Sequence, residues 1–585
     1  MHRRGPDARG YEIFENGRQQ VALLHTRLSI IDLDERANQP FKCGSRWITY
    51  NGELYNYQEL RLELEKIGHH FSTNSDTEVL LRTIDAFGWE GLDRCEGMWA
   101  FALYDEADGS LTLCRDRFGE KPLYVFRDQR GLYFGSEVKF ITSLRGRSMS
   151  VNHQQLYRYL VNGYKSLYKG NQTYFEGLQE VSRATYLRIA ADGKETVTQY
   201  WQPDRAINTS MSREAAIEGV REKLIHALEI RLRSDVPLAF CLSGGIDSNS
   251  LVAIAKRLFG YDVHGFTIVN TDERYEESEM IEHSVKALGI KHTEIELKKD
   301  GFLEGLREQV RHHDAPVATI TYYAHWLLQK HVNEQGYRIS VSGTAADELL
   351  AGYYDHHNAY LSAVHHDDEL YAESLANWQK HILPDVRNPH LSNPRLFIDN
   401  PNHRDHIFLN NVDFAEYLEP DWFEQYAETD YSEDLLRNRM LNELFHEATP
   451  VILHEDDLNA MYHSVENRSP FLDRSLFEFC FSIPTPHLIH NGYNKSVLRD
   501  AMREIVPDPI LDAYRKVGFN LPILDLLDVT DPDVRGYLLD DSPIYEHVSR
   551  EKIEPFFQKP ELLNSESKFL FYFLNAKIFL EEFAA

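Results

Sequence analysis

Long apolar runs are missing from this chain. No stretch of about 18 or more apolar residues occurs, the length needed to span a bilayer, and mean hydropathy is −0.47. Basic charge is in deficit, with 62 Lys and Arg against 92 Asp and Glu and a net charge of −30. That balance disfavours sequence-independent nucleic-acid binding, which needs a basic surface to displace counterions. A local basic pocket for an anionic substrate stays open. Cysteine is scarce: Cys43, Cys95, Cys114, Cys241 and Cys480 lie far apart, without a C-x-x-C pair. A disulfide framework and structural zinc are therefore not expected, and a reducing cytoplasm is. Internal repeats and low-complexity segments are absent. No apolar segment follows the charges of Met1-His2-Arg3-Arg4, so a secretory signal is not expected.

What is present divides the chain. At 585 residues it is too long for a single hydrophobic core. Residues 1–190 read as short strands and turns, with β-prone runs at Val21–Leu24, Trp47–Tyr50 and Trp99–Tyr104. One clear helix is expected from about Thr77 to Phe87. A linker is expected over 191–212, followed by a second domain over 213–585. There Ile217, Val220, Leu224 and Leu228 recur at helical spacing. Apolar strands at Val236–Leu242, Val263–Val269 and Arg338–Val341 alternate with helices, which predicts a parallel sheet covered on both faces. From about His365 to Asp434 the charged, aperiodic sequence predicts helical insertions and loops.

The most informative stretch is Ser243-Gly244-Gly245-Ile246-Asp247-Ser248, between an apolar strand and a helix. Two glycines let the backbone close on a ligand without Cβ interference. The N–H groups opening the next helix point at an anion, Ser243 and Ser248 add hydroxyls, and Asp247 can offer a carboxylate to Mg²⁺. No G-x-x-x-x-G-K-[ST] occurs, so this is not the common nucleotide loop. The stretch resembles the pyrophosphatase loop of the N-type ATP pyrophosphatases, which include the asparagine, argininosuccinate, GMP and NAD synthetases.

Four further segments choose among these: Ser342-Gly343-Thr344-Ala345-Ala346-Asp347-Glu348-Leu349-Leu350-Ala351-Gly352-Tyr353, Arg468-Ser469-Pro470-Phe471-Leu472-Asp473, Lys495-Ser496-Val497-Leu498-Arg499 and Arg515-Lys516-Val517-Gly518-Phe519. With them the chain resembles class B, glutamine-hydrolysing asparagine synthetase along nearly its whole length. The resemblance implies an ATP-dependent amide-forming ligase that activates a carboxylate as an acyl-adenylate, which ammonia then attacks. It assigns charge stabilisation at the α-phosphorus to Lys495 and Mg²⁺ binding to Asp247 and Asp347. Leu242, Ile268, Ser342 and Gly343 would line the adenosine site, with Ser243, Gly244, Gly245 and Ser248 on the phosphates.

In the N-terminal part, Arg4-Gly5-Pro6-Asp7, Arg27-Leu28-Ser29-Ile30, Asn51-Gly52-Glu53-Leu54-Tyr55-Asn56, Ser75-Asp76-Thr77-Glu78 and Arg115-Asp116-Arg117-Phe118-Gly119 fall in the order of an N-terminal-nucleophile glutamine amidotransferase. Asn51-Gly52 alone would read as a hairpin turn; the series overrides that. The resemblance implies an αββα sandwich, followed by an α/β ATP-pyrophosphatase domain with added helices. Arg27 and Asp76 would grip glutamine, Asn51 and Gly52 would form its oxyanion hole, and Glu53 would help position it. It also implies an ammonia passage between the domains; a homodimer is left open.

Departures matter too. No cysteine occupies the nucleophile's position, so the chain as written is not expected to hydrolyse glutamine by the family mechanism. The absent piece would be a central strand and the helix after it, and a mis-assigned start is the simpler account. Cys43 reads as a structural thiol. Thr344 stands where relatives carry an acidic residue, Ala345 where they carry glycine, and Ala315 and Arg3 also depart. These positions open other acceptors, such as the sugar acids of surface polysaccharides or the substrates of β-lactam-type ligases. A catalytically silent scaffold is the alternative of another class. The pairs His312-His313, His356-His357 and His365-His366 read as solvated surface histidines rather than metal ligands.

Overall fold

The computed structural model describes all residues except 17–18, 270–276, 515–522, 560–561 and 585. The Arg515–Phe519 motif lies outside the described residues.

The N-terminal domain opens with the hairpin β1 (Ala8–Asn16) and β2 (Gln19–Arg27). Its main sheet is antiparallel, built from β3 (Phe41–Cys43), β4 (Arg46–Leu54), β5 (Gly97–Asp105) and β6 (Ser110–Arg115). β7 (Tyr124–Asp128), β8 (Gly131–Gly135) and β9 (Leu178–Glu180) form a separate small sheet. β10 (Thr185–Ile189) returns to β6, and β11 (Glu195–Gln199) closes that edge. Residues 195–199, expected within the linker, are thus part of this sheet.

Four layers result. Helices α1 (Tyr57–Lys66) and α2 (Asp76–Phe87) bury Leu60, Leu64, Val79, Leu80, Leu81 and Ile84 on one face of the main sheet. At about 1.5–3 kcal/mol per buried aliphatic side chain, this face is a main source of the domain's stability. The boundaries of α2 follow from its sequence. The Ser75 hydroxyl accepts from the Thr77 N–H at 3.2 Å, and Gly88 ends the helix at φ 64°. On the other face, Leu23 of β2 and Val125 of β7 meet Ala100, Ala102 and Leu113. Behind β7 lie α3 (Val138–Arg145) and α4 (His153–Asn162). The αββα order expected from the sequence is present, with its second sheet split between β1–β2 and β8–β7–β9.

The second domain starts with α5 (Arg213–Arg231), the amphipathic helix expected from Ile217, Val220, Leu224 and Leu228. Its sheet is wholly parallel: β12 (Leu238–Cys241), β13 (His264–Val269), β14 (Lys291–Glu296), β15 (Ile339–Val341) and β16 (Glu466–Arg468), in the order β14-β13-β12-β15-β16. Helix α6 (Ile246–Arg257) follows β12 and is buried from Ser248 to Ala255. From β12 the chain runs outward through β13 to β14, then returns to the other side of β12 as β15. The strand order therefore reverses between β12 and β15, the position where open α/β sheets bind ligands. In the stretch 365–434, helices Asp368–His381, Leu396–Asp399 and Asn411–Ala415 alternate with loops, as its composition implies.

Buried ion pairs and a shared apolar core join the domains. Arg4 donates to Asp457 at 2.7 and 3.1 Å and to Glu137 at 3.1 Å, while Lys121 approaches Asp457 at 3.3 Å. Arg231 pairs with Asp473 at 3.0 Å and with Glu96 of the N-terminal domain at 2.9 Å. Helix Asn564–Phe583 packs its aromatic face on α4, with the rings of Tyr159 and Tyr572 4.9 Å apart.

Four of the histidines expected at the surface are in the core instead: His312, His313, His356 and His357 are buried. Each pair sits on a helix whose polar groups meet the protein rather than water. His312 Nε2 lies 3.1 Å from the Leu458 carbonyl, and His356 Nε2 lies 2.6 Å from Glu443. Asp355, His356 and Glu443 converge closely enough for a metal, but Lys165 and Arg439 already stand 3.6 and 3.4 Å from Glu443. That group reads as a charge-balanced core network.

Candidate active sites

Two loops meet at the reversal point. After β12 the chain turns through Leu242–Gly245, and Gly245 caps α6. The turn is held from within: the Ser243 N–H donates to Ser248 Oγ at 3.1 Å, the Gly245 N–H donates to Ser243 Oγ at 3.2 Å, and Asn249 Nδ2 donates to the Ser243 and Gly245 carbonyls at 2.9 and 2.7 Å. Asn249 was not singled out in the sequence; as the residue after the motif, its role appears only when the turn closes. Gly244 is needed for space, since a Cβ there would stand 2.7 Å from the Glu277 Cβ.

After β15 comes Ser342-Gly343-Thr344. The Ser342 N–H donates to the Arg468 carbonyl at 3.0 Å, extending the sheet. A Cβ on Gly343 would lie 2.8 Å from the Asp247 Cβ, so glycine is what lets the loops touch. Leu242 and Ile268 are both buried, and the Leu242 N–H donates to the Phe266 carbonyl at 2.9 Å.

Lys495 reaches this junction from far along the chain. It adopts φ 51° at the start of helix Ser496–Ala501. Its Nζ lies 2.6 Å from Asp247 Oδ2 and 2.7 Å from Asp347 Oδ1. Burial pulls its pKa down, but the two carboxylates outweigh burial and hold it above the ordinary lysine value. Gly352, which stands in the motif after β15 but had no role assigned from the sequence, makes room for the triad. A Cβ there would fall 1.8 Å from Asp347 Oδ1 and 2.3 Å from Lys495 Cε.

The residues expected at the glutamine site converge elsewhere. Arg27, Asn51, Gly52, Glu53 and Asp76 line a cavity of about 1120 Å³, which also borders β2, β8 and Met1. Gly52 sits where β4 crosses Trp99 of β5, and a Cβ there would meet the Met98 carbonyl oxygen at 2.0 Å. Asp76 Oδ2 accepts from the Leu54 N–H at 3.0 Å, and burial pushes its pKa up to about 6. Burial, then the charges of Asp76 and Glu466, push Glu53 well above the carboxylate range. Arg468 stands 3.7 Å from Glu53 and 3.1 Å from Glu466, tying this corner to the parallel sheet. Arg27 braces its own loop: it donates to the carbonyls of Ile31, Asp32 and Asp34 and to Asn38 Oδ1.

None of the five cysteines lines this cavity. All are free, and burial raises every thiol pKa, Cys95, Cys241 and Cys480 to about 12. Cys43 is buried, as a structural thiol should be.

An α/β ligase-type domain with a glycine turn at the reversal point of its parallel sheet, joined to an αββα amidotransferase-type domain, is the class that the fold defines. Sequence comparison agrees. The profile of the asparagine synthase family matches residues 219–578, and that of the glutamine amidotransferase domain matches residues 1–201. The chain belongs to the asparagine synthase family, a family of ATP-dependent carbon–nitrogen ligases. It is 29% identical over 547 residues to asparagine synthetase [glutamine-hydrolyzing] 1 of Bacillus subtilis, covering 89% of this chain and 82% of that one. It is 26% identical over 579 residues to amidase chry2 of Gibberella zeae, covering 88% and 82%. Among the described residues, no helix is long and apolar enough to cross a membrane.

Proposed function

We propose that this chain couples ATP cleavage to amide formation on a carboxylic acid, with L-aspartate as the leading acceptor and ammonia, free or released from glutamine, as the nitrogen source. The carrying observation is the Lys495–Asp247–Asp347 triad between the two strand-end loops at the sheet's reversal point. ATP would lie with its adenosine against Leu242, Ile268, Ser342 and Gly343 and its phosphates over Ser243, Gly244, Gly245 and Ser248. The donor set of the triad, two partly exposed carboxylates with hard oxygens, suits Mg²⁺. Asp247 and Asp347 would hold that ion, which when bound neutralises phosphate charge.

In the structure both carboxylates hold Lys495, so binding of the metal–nucleotide would free its ammonium toward the phosphates. An acceptor carboxylate oxygen attacks the α-phosphorus and pyrophosphate leaves. Lys495 stabilises the charge that grows on the phosphoryl oxygens. Ammonia then adds to the acyl carbon, loses a proton, and AMP departs with the oxygen that had bridged it.

In the N-terminal domain, Arg27, Asn51, Gly52, Glu53 and Asp76 can surround glutamine, yet no cysteine thiol stands at their cavity. Thr344, where relatives carry an acidic residue, favours a second reading in which the acceptor is an acid other than aspartate. Pyrophosphate release with Mg²⁺, ATP and ammonia, tested across a panel of carboxylic acids, decides between them. Release that needs no acid would reject both.

A further inference from the structure

The three N–H groups of the glycine turn after β12 do not meet the same kind of acceptor. Those of Ser243 and Gly245 donate to hydroxyls of the turn itself, Ser248 Oγ at 3.1 Å and Ser243 Oγ at 3.2 Å. The Gly244 N–H donates outside it, to Glu277 Oε2 at 3.1 Å. Glu277 stands at the N-cap of helix Ser278–Leu288, yet its side chain makes no capping bond there. An acidic residue in that place ordinarily bonds the N–H groups of its own helix; this one lies across Gly244 instead. A Cβ on Gly244 would come 2.7 Å from the Glu277 Cβ and 3.2 Å from its carboxyl carbon. A second tether joins the same helix to the turn. Ser284 Oγ donates to Asn249 Oδ1, both residues fully buried, and Asn249 Nδ2 holds the Ser243 and Gly245 carbonyls.

The Gly244 N–H belongs to the set of donors that would hold phosphate oxygens. In this structure a carboxylate holds it, an anion of the same sign as the ligand. Carboxylate and phosphate cannot share the donor, and at hydrogen-bonding distance their charges repel. The two neighbouring contacts pose no such conflict, because a hydroxyl can turn and donate to a phosphate oxygen. Glu277 is half-buried, so its side chain has solvent to swing into. The Ser284–Asn249 tether, and Met280 packed 3.2 Å from where a Gly244 Cβ would stand, keep the helix itself in place. The side chain, not the helix, is what yields.

We propose that Glu277 is a built-in competitor for the phosphate site, occupying the Gly244 N–H until phosphate-bearing ligands displace it. This rests on the ligase reading above and goes beyond it, by assigning the site a residue that opposes its ligand. The carboxylate sets the affinity for ATP below what the turn alone would give, and it returns to the N–H as pyrophosphate leaves. Glu277 thus tunes binding and product release; it does not hold the nucleotide or its metal.

Titration calorimetry tests this with ATP and inorganic pyrophosphate, each with Mg²⁺, and with adenosine, which has no phosphate. E277Q keeps an acceptor for the N–H and removes the charge; E277A removes both. Each variant should bind ATP and pyrophosphate at least about tenfold more tightly than the parent, the scale of relieving one like-charge contact. Adenosine affinity should not change. In turnover, pyrophosphate should inhibit the variants at correspondingly lower concentration. Weaker binding in either folded variant would make Glu277 a ligand of the metal–nucleotide, and unchanged binding would make its contact incidental. Tightening that extends equally to adenosine would place its effect away from the phosphates. Each of these overturns the inference and leaves the ligase reading standing. A parent and variants that bind neither ATP nor pyrophosphate would overturn both.

Discussion

At Lys495 one ammonium is shared by two carboxylates, and the neighbouring glycine decides whether that sharing is allowed. K495A should lower kcat by at least about 10²-fold, the cost of losing one stabiliser of developing charge. ATP affinity should change much less, because the ammonium acts as charge builds. Equal losses of ATP binding and kcat in a titration and a steady-state assay would recast Lys495 as a ground-state phosphate ligand. D247A should abolish pyrophosphate release with an unchanged circular dichroism spectrum; near-normal release would remove Asp247 from the site. G352A should cost nearly as much as K495A, because its methyl would occupy the space of Asp347 and the lysine stem. Lys495, Asp247 and Asp347 were legible in the sequence because each sits in a motif whose chemistry explains it. Gly352 stands in the same motif as Asp347, but its role was not legible, because its constraint comes in part from a side chain distant along the chain.

Elements show which local signals survive packing. The β-prone runs at Val21, Trp47 and Trp99 became β2, β4 and β5, and the helix expected near Thr77 runs Asp76–Phe87. These had alternation or caps to mark them. Strands β14 and β16 carry no such mark. β14 is Lys291–Glu296, rich in charge at the sheet edge, and β16 is three residues that end on Arg468, where its motif begins. Only the parallel partners β13 and β15 make them strands. Asp76 opens α2 and carries a pH signature. Its pKa is pushed up to about 6 against an ordinary 3.8, so the folded state binds its proton more tightly than the unfolded one. Stability from this group is full below about pH 4 and is lost as pH rises through about 6, a change of about 3 kcal/mol. D76N should flatten the melting-temperature profile between those pH values and raise its upper end. A profile identical to the parent's would contradict that account.

For the whole molecule, the two-domain plan was legible from the change of texture near residue 200 and from the ordered motifs. The way the domains lock together was not. Arg4 was read as part of an amidotransferase motif, yet its guanidinium spans to Asp457 in the ligase domain. Removing Asp457 by D457A would leave Arg4 and Lys121 buried with one partner fewer, and should cost about 3–5 kcal/mol in a denaturation experiment. A loss under about 1 kcal/mol would mean that the interface does not depend on this pair. The burial of His312, His313, His356 and His357 was likewise invisible, since composition alone does not separate a solvated histidine from a core one. The central claim is that an acyl-adenylate forms between the loops after β12 and β15, and its chemistry leaves an atomic trace. The acid preferred in the acceptor panel, labelled with oxygen-18 in its carboxylate, should be incubated with Mg²⁺, ATP and ammonia and the AMP examined by mass spectrometry. The account predicts one labelled oxygen in AMP and none in pyrophosphate, with the signal lost in K495A. Amide formed with unlabelled AMP, or with ADP and phosphate in its place, would contradict it.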